Sequence, residues 1–121
     1  MTGKIINNEL GSIHISKETI ATIAGLSAME CYGIVGMASQ KVKDGIAELL
    51  GWDNLTKGII VDIKDDLVSI NIYVIVVYGI KISEVANNVI EKVKFSIKEM
   101  LDLDNVEITV NIEGVRVNNL G

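Results

Sequence analysis

The sequence has no proline, one cysteine (Cys31), one histidine (His14) and one tryptophan (Trp52), and aromatic residues make up only 4% of its 121 positions. A lone cysteine excludes an internal disulfide and fits a reducing compartment. One histidine and one cysteine fall short of the four ligands of a closed zinc site, so neither metal nor cofactor is expected. Any histidine-dependent relay would have to run through His14, and the sequence suggests no partner for it. Basic residues are also scarce: 11 stand against 16 acidic ones, for a net charge of −5. Phosphate neutralisation drives non-specific nucleic-acid binding, so that balance argues against a nucleic-acid partner. It argues equally against an anionic lipid surface.

Long apolar runs are missing too. The run from Ile72 to Ile80 is far shorter than the ~20 residues of a membrane-spanning helix, and "MTGKIINNEL" lacks the apolar core of a signal peptide. A soluble, cytoplasmic chain without direct membrane insertion is the expectation. No linker composition and no internal repeat break the sequence, which reads as one domain over 11–115. An N-terminal extension (1–10) precedes it and a C-terminal tail (116–121) follows.

What is present is a strong apolar pattern, with 49% hydrophobic residues. "GSIHIS" alternates as a short half-buried strand, and Ser16 is placed to cap a helix that Glu18 favours at its positive end. Ile20, Ile23, Ala24 and Met29 recur at helical spacing among small residues, which predicts a helix packed against more than one neighbour. Gly33 suits the end of that helix, and "IVGMAS" reads as a short extended piece. A second helical pattern runs from Val42 to Leu50, with Gly51 as its stop, and "GWDNLTKG" is loop. Ile59, Val61 and Ile63 alternate up to the turn "KDDL". Val68, Ile70, Ile72, Val74 and Val76 then form one period-two stripe, so 59–64 and 67–78 read as an antiparallel hairpin. Ser83 is positioned to cap a long helix carrying Val85, Val89, Val93 and Ile97. Val106, Ile108, Val110 and Ile112 form a last strand. Strand, helix and strand imply a crossover connection. The expected fold is α+β: a small mixed sheet, made of a hairpin plus a β-α-β crossover, with helices mainly on one face.

The second face of the long strand is the first candidate surface. It begins polar at Ser69 and Asn71 and turns apolar at Tyr73, Ile75 and Val77. Its far end needs cover, either from the chain's own first helix or from another copy of the chain. Trp52, just after Leu50, is the second candidate, because tryptophan is enriched at interface hot spots. Other motifs read as structural. Gly33-x-x-Gly36 spells the clamp of one RNA-binding module, but Ile34 and Val35 between the glycines supply no side-chain donors. Asp65/Asp66 and Asp102/Asp104 fall where turns are expected. Cys31, near a helix C-terminus, reads as a small hydrophobe whose thiol acidity constant is raised.

The stretches "GSIHISKETIATIAGLSAMECYGIVGMAS", "GIAELLGWDNLTKGIIVDI", "INIYVIVVYGIKISEVANNVIEKVKFSIKEML" and "VEITVNIEGV" together resemble the alkaline shock protein, or envelope stress response, family of Gram-positive bacteria. The likeness covers roughly residues 11–115. It departs at Ser83, where members often carry proline, at Ile90, where they carry glutamine, and at Leu101-Asp102, where they carry Thr-Gly. The resemblance implies a non-enzymatic, self-associating protein held at the inner membrane surface by a membrane-anchored partner and concerned with alkaline and envelope stress. It carries over no catalytic residue. The surfaces expected to meet partners are Leu50, Trp52, Tyr73, Ile75 and Val77. An accessory subunit of a cytosolic enzyme and, further off, an RNA-binding module are the alternatives that stay open at this point.

Overall fold

The computed structural model describes residues 3–39 and 49–117. In chain order these form β1 (Gly3–Asn8), β2 (Gly11–Ser16), α1 (Lys17–Met29), β3 (Ile34–Met37), a 3-10 segment (Trp52–Gly58), β4 (Ile59–Lys64), β5 (Leu67–Val77), α2 (Ile82–Leu101) and β6 (Val106–Arg116). The architecture is α+β, with a four-stranded mixed sheet and a separate two-stranded hairpin.

β5 is the axis of the larger sheet. Its alternating Val68, Ile70, Ile72, Val74 and Val76 are all at most 1% exposed, and each such side chain contributes about 1.5–3 kcal/mol of burial. β6 runs parallel along one edge of β5. The other edge is shared end to end, with β4 antiparallel along Leu67–Ile72 and β3 antiparallel along Val74–Val76. Leu49 and Leu50 continue the sheet outward from β3. Leu49 bridges Ala38, and the Leu50 N–H donates to the Met37 carbonyl at 2.9 Å. The two are therefore extended, where the apolar pattern had predicted the end of a helix. The rest of that predicted helix, within 40–48, lies outside the described residues.

Both helices cover the same face. α2 buries Val85, Val89, Val93 and Ile97 on one stripe, and α1 buries Ile20, Ala21, Ala24, Gly25, Ser27 and Ala28. These residues join the even-numbered side chains of β5 in one core. The small residues of α1 have a local reason. A side chain at Gly25 would meet Ile59 and Leu55, because the helix is enclosed by α2, β4 and the 3-10 segment.

Caps follow the sequence in part. Ser16 accepts from the Thr19 N–H at 3.1 Å, as expected. α2 instead starts after Lys81 with no side-chain cap, which leaves Ser83 inside its first turn. Asp102 ends α2 in the left-handed region (φ 58°), and Lys98 bonds both Asp102 (2.9 Å) and Asp104 (2.8 Å) there. The two carboxylates hold the Lys98 ammonium above its ordinary range.

The β1–β2 hairpin was not legible as a pair. Six cross-strand pairs run from Gly3↔Ser16 to Asn8↔Gly11, closed by Glu9 and Leu10. Asn8 Oδ1 accepts from the Leu10 N–H at 2.8 Å, fixing the turn. Lys4 pairs with Asp66 in the β4–β5 turn at 3.1 Å. Ile15 is buried and Ile6 packs on the core, while the outer half of the hairpin stands in solvent.

Candidate interaction surfaces

The glycine pair of the Gly33-x-x-Gly36 motif performs packing. Gly33 has φ +92°, and a Cβ there would press on Ile80 and Val85. It sits in the turn after α1, four residues past Met29, and its carbonyl accepts from the Val77 N–H at 3.0 Å. Gly36 lies within β3, where a Cβ would come within 2.7 Å of Leu49 Cδ1. The motif is thus half turn and half strand, and lacks the two flanking helices of a clamp. It marks where the chain crosses onto the sheet and where Leu49 lies over it.

That placement settles what lies beside the odd-numbered face of β5. Gly36 pairs with Ile75, so Leu49 sits on the Ile75 side of the sheet. α1, one of the two candidate covers, packs on the opposite face with Val74 and Val76. Ile75 is 1% exposed, whereas Tyr73 and Val77 are half-buried. A partner docking here would meet Tyr73 and Val77 and would not reach Ile75. Leu50 is half-buried against the core. The Trp52 backbone opens the 3-10 segment, and its side chain lies outside the described residues. The structure therefore joins Tyr73, Ile75 and Val77 on one face, with Leu50 in the extended segment that bonds to Met37 of β3.

Further down the same face the residues are polar: Ser69 and Asn71 on β5 face Glu107 and Thr109 of β6. The Asn111 amide reaches Asn71 Oδ1 and the Ile72 carbonyl, both at 3.4 Å. Two small sheet bulges lie opposite the apolar end of β5, at Ile34/Gly36 and at Ile112/Gly114. Such bulges increase local twist.

The residues that sequence reasoning missed are on the hairpin arm. Ile5 is 44% exposed, Ile13 50% and Leu10, at the tip, 98%. Ile5 and Leu10 gave little signal because they stand in a polar context with no period, whereas Ile13 lies in the alternating stretch read as a half-buried strand and is its more exposed end. At the other end of β5, Tyr32, Tyr78, Val115 and Val117 are also exposed. Hydrogen bonds from Val77 to Gly33 and from Tyr78 to Arg116 gather their segments.

Chemistry-bearing side chains do not converge. His14 is exposed on β2 and Cys31 is half-buried after α1. Among the described residues, no group of three His, Cys, Asp or Glu is placed to hold a metal. Burial pushes the Cys31 thiol up; Lys92 opposes this and Glu30 reinforces it. Cys31 Sγ donates weakly to the Ser27 carbonyl at 3.7 Å. Desolvation is thus the leading cause, where the sequence had suggested the helix terminus. No helix among the described residues is long and apolar enough to cross a membrane.

Comparison with known proteins agrees with the resemblance read from the sequence. The profile of the alkaline shock protein 23 family, described as having a cell envelope-related function, matches residues 5–117. The Bacillus subtilis protein YloU, itself uncharacterized, is 44% identical over 115 residues, covering 94% of this chain and 96% of its own. Spy1614 of Streptococcus pyogenes serotype M6, also uncharacterized, is 41% identical over 118 residues, covering 97% of each chain. A second Bacillus subtilis relative, the uncharacterized YqhY, is 34% identical over 110 residues, 91% of this chain and 81% of its own. No solved structure matches.

Proposed function

From the premise that the chain belongs to the alkaline shock protein 23 family, with its cell envelope-related function, we propose that it is a non-enzymatic, self-associating interaction protein. In this reading it works at the cytoplasmic side of the envelope, docked on a membrane-anchored protein. The observation that carries the docking is the β1–β2 arm, which holds Ile5, Leu10 and Ile13 in solvent. An isolated two-stranded hairpin is marginally stable in water, and an apolar tip on such an arm is a feature that contact with another protein would stabilise. The net charge of −5 favours a protein over anionic lipid as the thing contacted.

The test is fractionation of Bacillus subtilis cells carrying a tagged copy. The expected result is sedimentation with membranes and release by alkaline carbonate, as for a peripheral protein. Leu10→Ser combined with Ile13→Ser moves it to the supernatant without altering its thermal melt. Recovery of the unaltered chain wholly in the supernatant overturns the proposal.

A further inference from the structure

The outer edge of β6 is where the structure points next. Among the described residues, β6 pairs with β5 alone, which leaves one side of an 11-residue strand open. Open edges of this length are templates for another strand and are normally blunted or covered. Directions along the strand can be read from its ends. The carbonyls of Asn105 and Arg116 turn inward, accepting from Val68 and Tyr78 at 3.0 and 2.8 Å. Backbone groups alternate sides along a strand. With the bulge at Glu113 counted once, the residues that face outward are Val106, Ile108, Val110, Ile112 and Val115. These residues also carry the apolar side chains of the helix face, and their cover thins toward the C-terminal end: Ile108 is 9% exposed, Val115 47%.

We propose that this edge is covered by the β6 edge of a second copy, antiparallel, about a twofold axis through Asn111. The proposal rests on the self-association reading above and names its surface. In this register Val110 lies opposite the partner's Ile112 and Ile108 opposite the partner's Val115, so apolar meets apolar and open N–H groups meet open carbonyls. Thr109 lies opposite the partner's Gly114, and exposed Glu107 opposite the partner's exposed Arg116. Twofold symmetry makes that ionic pair twice. Moving the axis to Thr109 sets Glu107 against the partner's Asn111 and loses both pairs, so charge selects the register. Like charges directly opposite are destabilising in such pairings.

The experiment combines charge exchange with cross-linking. Sedimentation velocity on Glu107→Arg and on Arg116→Glu is expected to weaken dimerisation by roughly tenfold each. The double variant returns it to the original value. At the axis, the two Asn111 residues form a non-hydrogen-bonded pair with Cα atoms about 4.5 Å apart, within disulfide range. Asn111→Cys in a Cys31→Ser background therefore oxidises to a covalent dimer, whereas Thr109→Cys stays monomeric on denaturing gels. A chain that is monomeric at every concentration overturns both the self-association reading and this inference. A dimer insensitive to either charge reversal, with no cross-link at position 111, leaves self-association standing and removes β6 as its surface. Cross-linking at 109 in place of 111 overturns the register.

Discussion

The two faces of β5 are built from alternate residues of one strand. The even-numbered face lies under α1 and α2, with every side chain from Val68 to Val76 excluded from water. The odd-numbered face carries Ser69 and Asn71, then half-buried Tyr73 and Val77, with only Ile75 closed off. The first face holds the molecule together, and the second, with the open edge of β6 and the hairpin arm, is the surface that the proposed contacts would use. Stability and those proposed contacts are therefore separable by substitution.

The sharpest way to break the comparison is Ile72→Ala against Asn71→Ala, adjacent residues on opposite faces. Urea unfolding should show about 2–5 kcal/mol lost for the first and no more than about 1.5 kcal/mol for the second, which loses the long bond from Asn111. Next in size is Gly33→Ala, where a left-handed φ and crowding by Ile80 and Val85 combine. A loss of about 1–3 kcal/mol is expected from the backbone alone. Gly36→Ala should cost less, because only the flexible end of Leu49 has to give way.

A smaller effect concerns pH. The Cys31 thiol is raised in the fold mainly by burial, so the unfolded chain loses that proton first as pH rises. The associated stability is complete below the ordinary thiol value of 9.0 and is lost as pH climbs through the folded one. Cys31→Ala should flatten the alkaline side of the stability curve, read by thermal melts from pH 8 upward. The smallest effect is expected of Leu10→Ser, which leaves stability within about 0.5 kcal/mol while removing the apolar tip.

The central architecture was legible because period-two and helical patterns report burial directly. The β5 stripe, the Ser16 cap and the α2 stripe all appear where the residues place them. Elements held by pairing were not legible in the same way. β1 is half-polar and gains its strand from β2 and from Lys4 on Asp66. Leu49 and Leu50 read as a helix end because two leucines after an alanine-glutamate stretch fit that period, whereas the edge of β3 takes them as an extended pair. Cover of Ile75 was left between α1 and another copy of the chain because sequence does not specify on which face of a sheet a helix lies. The glycines of the Gly33–Gly36 motif were read correctly as structural, since side chains able to bind phosphate are missing between them. Of the expected contact residues, Tyr73 and Val77 lie on a half-open face. Of the hairpin arm, β2 was legible by its alternation, whereas Ile5 and Leu10 escaped notice for lack of any period.

Sedimentation velocity of the unaltered chain over a hundredfold concentration range tests the central claim most directly. Two copies joined along their last strands should appear as a single species of twice the monomer mass that dissociates only on dilution. One species of monomer mass throughout would contradict the account.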